Sequence, residues 1–179
     1  MLCIGTSSAT VNVMQTTLGS KGDYAVRAAL DLARAYGGPR RKAREISDKM
    51  GIPPKYLPQV LGALIRAGLV RSVAGPGGGY SLSRSPAEVS LLEVVEAAEG
   101  PVQNKKCVLR GGPCHWDHAC SIHEAWANAQ ERLMDELAKT SFAALADRDA
   151  AMEKADPHRQ KEGKGNHDPQ TRNADPAHA

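Results

Sequence analysis

Residues 43–82 read AREISDKMGIPPKYLPQVLGALIRAGLVRSVAGPGGGYSL, and this stretch decides the fold. Ala43–Met50 predicts a short helix, stopped by Gly51, where the chain needs a residue that tolerates positive φ. Ile52-Pro53-Pro54 is a tight turn. A second helix is expected from about Pro54 to Ala67. Leu57, Val60, Leu61 and Leu64 fall on one face of it, and Gly68 closes it. Pro58 lies in its first turn or so, where a missing N–H costs least. Leu69–Val73 has strand character, Gly75–Gly79 is a loop, and Tyr80-Ser81-Leu82 returns as a strand. Two short helices joined by a turn and followed by a glycine-tipped hairpin make a winged helix-turn-helix. Its second helix would present Lys55, Tyr56 and Gln59 to the major groove of double-stranded DNA. A glycine-rich loop can instead cradle a nucleotide phosphate, but that use needs a helix directly after the loop. The strand-like Tyr80–Leu82 speaks against it.

Outward from this core, Tyr24, Ala25, Ala28, Ala29, Leu32 and Ala33 repeat with helical spacing, and Gly37-Gly38-Pro39 ends the element. A basic cluster follows: Arg40, Arg41, Lys42 and Arg44. On the other side, Ser90-Leu91-Leu92-Glu93 is a capping box that opens a helix ending at Glu99-Gly100-Pro101. A loop spans 101–119. A long helix is then expected from about Ala119 to Leu145, with Ile122, Trp126, Ala129, Leu133 and Leu137 as a stripe fit to bury against a partner helix. The fold class is mainly α. Residues 18–84 form the winged helix-turn-helix DNA-binding domain, and 85–146 the cysteine loop and dimerisation helix. Residues 1–17 and 147–179 are expected to be disordered, the latter because it holds no Leu, Ile, Val or Phe to offset its ordering entropy.

The chain has 179 residues, 41% hydrophobic and 24% charged, a globular composition. Aromatics are only 4%, so the core must be largely aliphatic. No apolar run reaches the length of a membrane span, and the first basic residue is Lys21, which argues against a secretory signal. The expected location is the cytoplasm, with no membrane partner. Charge is unevenly placed. Residues 18–84 carry 12 Lys and Arg against 4 Asp and Glu; residues 85–146 carry 5 against 9. A basic first unit beside an acidic one points to a polyanion partner for the first unit.

Three of the four cysteines, Cys107, Cys114 and Cys120, fall within 14 residues. In a reducing compartment, clustered thiols favour metal binding or redox chemistry over structural disulfides. Structural zinc sites usually show a tighter knuckle. The gaps of six and five residues here suit a loop wrapped around a larger object such as an iron–sulfur cluster. A zinc site or a thiol/disulfide switch is the alternative. No nucleophile–base pair or acid/base constellation stands out elsewhere, so an enzyme is not expected.

Taken together, Ser20-Lys21-Gly22-Asp23-Tyr24-Ala25-Val26-Arg27-Ala28, Tyr56-Leu57, Ala67-Gly68-Leu69-Val70, Gly75–Tyr80, Ser90–Val95 and the three cysteines resemble the Rrf-two family of winged-helix transcriptional regulators. The likeness is to its IscR- and NsrR-like iron–sulfur sensors and covers about residues 18–146. The resemblance implies a homodimer on a two-fold-symmetric operator, acting as a repressor or other transcription regulator. It implies that Lys55, Tyr56, Gln59, Arg71, Arg40, Arg41 and the wing residues Gly77 and Gly78 meet DNA, and that Cys107, Cys114 and Cys120 hold the cluster. For a 4Fe–4S centre, favoured here, the fourth ligand would be Asp23 of the partner subunit; for a 2Fe–2S centre it would be His123. Three positions depart from the family pattern. The first cysteine gap is one residue longer than usual, Ala74 replaces a common wing Arg, and Pro58 replaces a base-contacting Glu.

Overall fold

The computed structural model describes residues 18–101 and 122–155. Helix α1 (Ser20–Arg34) is followed by α2 (Ala43–Met50), α3 (Leu57–Arg66), the hairpin β1 (Val70–Val73) and β2 (Gly79–Leu82), α4 (Leu91–Glu99), α5 (His123–Lys139) and α6 (Phe142–Ala155). Among the described residues no helix is long and apolar enough to cross a membrane.

Helix α1 runs through the centre. Its stripe Tyr24, Ala25, Ala28, Ala29 and Leu32 is buried with Ile46, Leu57, Val60, Leu61, Leu64, Val94 and Phe142 in one core. Small alanines on this stripe let the helices around α1 approach closely. Its N-terminus has no side-chain cap of its own. Instead, Glu99 from the end of α4 accepts the Gly22 N–H at 2.7 Å. A Cβ on Gly22 would lie 2.8 Å from the Glu99 carboxylate, so the glycine leaves that carboxylate room to reach the amide.

The turn between α2 and α3 is fastened from inside. Gly51 closes α2 at φ 63°, and its N–H bonds to the Ser47 carbonyl. The buried Ser47 hydroxyl donates to the Ile52 carbonyl at 2.6 Å. Helix α3 begins at Leu57, three residues after the expected Pro54. Pro58 has no N–H to bond back to residue 54, so it can sit only in the first turn. Pro53–Tyr56 forms a turn instead, with the Tyr56 N–H on the Pro53 carbonyl at 2.9 Å. The hairpin pairs Arg71 with Ser81 and Val73 with Gly79. Arg41 adds a third rung beside β2, exchanging two backbone hydrogen bonds with Tyr80 at 2.8 and 3.0 Å.

Ser90 and Glu93 form the expected capping box, Glu93 N–H to Ser90 Oγ at 3.2 Å and Ser90 N–H to Glu93 Oε2 at 2.9 Å. Burial raises the Glu93 pKa. The Ser90 backbone bond and the adjoining Arg84 guanidinium outweigh it and leave the carboxyl below its ordinary value.

The C-terminal region corrects the sequence reading. The single long helix to Leu145 is two helices, broken at Thr140–Ser141. Thr140 is extended, and its carbonyl accepts the Leu91 N–H at 2.8 Å. The Phe142 N–H bonds to Val89 at 2.9 Å, and Ser141 forms a bridge with Ser90. The break turns Phe142, the chain's one phenylalanine, wholly into the core. Helix α6 then runs on to Ala155, through positions 147–155 expected to lack order. Its alanines favour helix, and Asp149 and Glu153 both pair with Arg34 of α1, Asp149 at 2.9 Å.

Candidate nucleic-acid interface and cysteine segment

Lys55 and Tyr56 lie in the turn that leads into α3, and Gln59 in its first turn; all three are exposed. Tyr56 is not loose. Its ring stacks on Tyr24 of α1 with centroids 5.7 Å apart and an interplanar angle of 28°. The Lys55 ammonium lies 4.9 Å from the Tyr56 ring centroid, within cation–π range. The start of the reading helix is therefore braced against the core helix, which reduces the entropy lost on binding.

The wing is shaped by glycines. A Cβ on Gly78 would lie 2.1 Å from the Val73 carbonyl oxygen, so only glycine fits. The Gly78 N–H closes the turn on the Gly75 carbonyl at 2.9 Å. Gly77 has open space around it. The Lys42 ammonium reaches across and donates to the Pro76 carbonyl at 2.9 Å, tying the loop to the segment before α2. Arg40, Lys42, Arg71, Gly77 and Gly78 line one open groove between the end of α1 and the wing. Arg71 is exposed and steadied by a 3.1 Å bond to Ser81 Oγ. Phosphate contacts from such Lys and Arg side chains supply most of the sequence-independent affinity for DNA.

Arg41 stands apart from its basic neighbours. Its Nε approaches Asp31 of α1 at 3.5 Å, and Lys49 of α2 approaches the same carboxylate at 3.0 Å. Asp31 is fully buried. The sequence reading did not single out Asp31, although it sits three residues after Ala28 on the stripe that faces the core. An acid at such a position signals a buried ion pair or hydrogen-bond hub.

Asp23 occupies the first turn of α1 and is chelated by Arg27 one turn on, at 2.8 and 3.0 Å. Its side chain is about a third exposed, so the carboxylate lies at the surface with both oxygens held by Arg27. His123 opens α5 and is exposed. Cys107, Cys114 and Cys120 lie outside the described residues. Among the described residues no group of His, Cys, Asp and Glu side chains is gathered as a metal site. Helix α5 buries none of its residues, and Leu133 on its apolar stripe is 49% exposed.

A braced reading helix, a glycine-built wing and a basic groove between them define a winged-helix DNA-binding regulator. The Rrf2 family, described as "Iron-dependent Transcriptional regulator", matches residues 18–148, and the chain belongs to it. An HTH-type transcriptional regulator of Azotobacter vinelandii, ORF2, is 41% identical over 132 residues, covering 73% of this chain and 79% of that one. The regulator IscR of Cronobacter sakazakii is 36% identical over 140 residues, 78% of this chain and 85% of that one. Among solved structures, CymR, the global cysteine regulator of B. subtilis, superposes with a TM-score of 0.65 at 25% identity, covering 74% of this chain and 97% of that one. These relatives are regulators, not enzymes.

Proposed function

We propose that the chain is a cytoplasmic, homodimeric transcription regulator whose grip on a two-fold-symmetric operator is set by an iron–sulfur cluster. The observation that carries the reading is the set of three thiols within 14 residues in a member of an iron-dependent family. Cys107, Cys114 and Cys120 would hold the cluster, and Asp23 of the partner subunit would complete a 4Fe–4S site. Arg27, which now chelates Asp23, would have to yield one carboxylate oxygen. His123 is the alternative donor, for a 2Fe–2S site. The bound group would supply a centre that nitric oxide or oxygen can damage and that iron shortage leaves unassembled.

The exposed stripe of α5 supports the dimer, since an apolar helix face of this length is normally covered. Pairing two copies along α5 would place two α3 helices on one duplex. Their spacing must match about one helical turn, roughly 34 Å, or a multiple of it. Lys55, Tyr56 and Gln59 would then read bases while Arg40, Arg71 and the wing hold phosphates.

The experiment is an anaerobic absorbance spectrum with iron and sulfide counted per monomer. A broad visible band bleached by nitric oxide is expected, and it should vanish in each single Cys→Ala variant. Asp23→Ala should keep a more labile cluster. If His123→Ala loses the cluster while Asp23→Ala keeps a normal one, the 2Fe–2S assignment replaces it. A thiol switch is the second reading, favoured by the structural likeness to CymR, one relative of which was solved in an oxidised form. Colourless protein carrying stoichiometric zinc or a reversible disulfide would establish a reading of that kind.

A further inference from the structure

We infer that Asp31 is a positioning residue for DNA recognition: it fixes the wing relative to the reading helix and withholds two cations from the phosphates. Three observations converge on its carboxylate. It is wholly buried on the core face of α1. Lys49, in the last turn of α2, lies 3.0 Å from one oxygen, and Arg41 lies 3.5 Å from the other. Arg41 is in turn the residue that pairs with Tyr80 of β2 through two backbone hydrogen bonds.

One buried acid therefore touches both the end of α2 and the segment paired with the wing. Through Lys49 it holds the end of α2, which sets where the turn to α3 begins. Through Arg41 it holds the rung on which the wing is built. A buried charge left without a partner costs several kcal/mol, so neither cation can leave without the other compensating. The contacts are ionic rather than well-formed hydrogen bonds, and both cations keep about a third of their side chains exposed. Arg41 and Lys49 are thus near enough to the surface to meet phosphates but are turned to Asp31.

This has an outcome that a merely structural role would not produce. Asp31→Asn keeps the shape and deletes the charge. Arg41 and Lys49 are then released, and each freed cation can neutralise a phosphate. Each phosphate neutralised steepens the fall of log affinity with log salt by about 0.9. Meanwhile the wing loses its registration, so discrimination falls.

The test uses full-length protein, the duplex that wild type selects from a random library, and a shuffled duplex, titrated across a salt series. Asp31→Asn is expected to lose roughly tenfold in its preference for the selected duplex, about what a single wrong base pair costs. Its salt dependence on both duplexes should steepen. Arg41→Met, which cuts the wing link but frees no cation to the DNA, should lose preference with no steepening. Thermal melts establish that each variant is folded. An unchanged preference in folded Arg41→Met would overturn the inference, as would a salt slope in folded Asp31→Asn that is unchanged or flatter. A wild type that selects no sequence would instead defeat the DNA-binding reading itself. The assay is indifferent to what the cysteines hold.

Discussion

Glu99 and Gly22 make a pair whose coupling can be computed before it is measured. Helix α1 lacks a side-chain cap of its own, and Glu99 supplies one from α4 by accepting the Gly22 N–H at 2.7 Å. Loss of such a cap costs about 1–2 kcal/mol, including the carboxylate's interaction with the helix dipole. Glu99→Ala should therefore destabilise by about that amount. Gly22→Ala is subtler. Alanine favours helix over glycine by up to about 1 kcal/mol. Its Cβ would meet the Glu99 carboxylate at 2.8 Å, however, and push that flexible group off the amide. Gain and loss nearly cancel, so the single change should cost only about 0–1 kcal/mol. In the double variant the cap is already gone and only the propensity gain remains, so the double should be more stable than Glu99→Ala alone. The coupling energy then equals the cap energy, about 1–2 kcal/mol. Urea unfolding of the four proteins, with a common m-value, measures it. Additivity within about 0.3 kcal/mol would refute the cap, because independent sites add to that precision. The result bears on the proposed cluster site, since the turn being capped carries Asp23, its proposed fourth ligand.

Phe142→Ala removes a fully buried ring and should cost about 3–5 kcal/mol, read as a lower urea midpoint. Gly78→Ala drives a methyl to 2.1 Å from the Val73 carbonyl; it should open the wing and weaken binding to the selected duplex while the melting temperature moves little. Glu93 has its carboxyl held below the ordinary value, so its contribution is complete above the unfolded carboxylate range and is lost as pH falls through the lowered folded value. Glu93→Gln should be less stable than wild type at neutral pH and should converge with it in acid, as followed by thermal melts. Lys55→Ala combined with Gln59→Ala should relax sequence preference in a binding selection more than it changes the salt slope.

Elements with a local cause were legible from sequence. Gly51 needs positive φ, Ser90 and Glu93 cap each other, and the leucines of α3 share one face, so α2, α3 and α4 were readable within a few residues. What could not be read depends on distant partners. The break at Thr140 exists because Leu91 and Val89, some fifty residues earlier, bond to the chain there. The helical stripe simply ran through it. Order in 147–155 comes from alanine propensity and from Arg34, not from large apolar side chains. In the winged helix, Lys55, Tyr56, Gln59 and Arg71 were named as DNA contacts, and all four are exposed. Arg41 was grouped with its neighbours because charge in a sequence carries no direction, and only the fold shows it facing Asp31. Asp31 itself was readable in principle, as an acid in phase with a buried stripe.

The backbone pairing at Ser90 and Ser141 closes a circuit. It seats Ser141 and Phe142 beside the start of α4, so the chain on both sides of residues 102–121 anchors on that one helix. The sequence between α4 and α5 holds the three clustered cysteines, and α5 itself packs on α4. Such an arrangement is a socket. A different segment could be spliced between α4 and α5 without redesigning the reader. Descendants of one ancestral reader could thereby acquire unrelated triggers by exchanging a single segment.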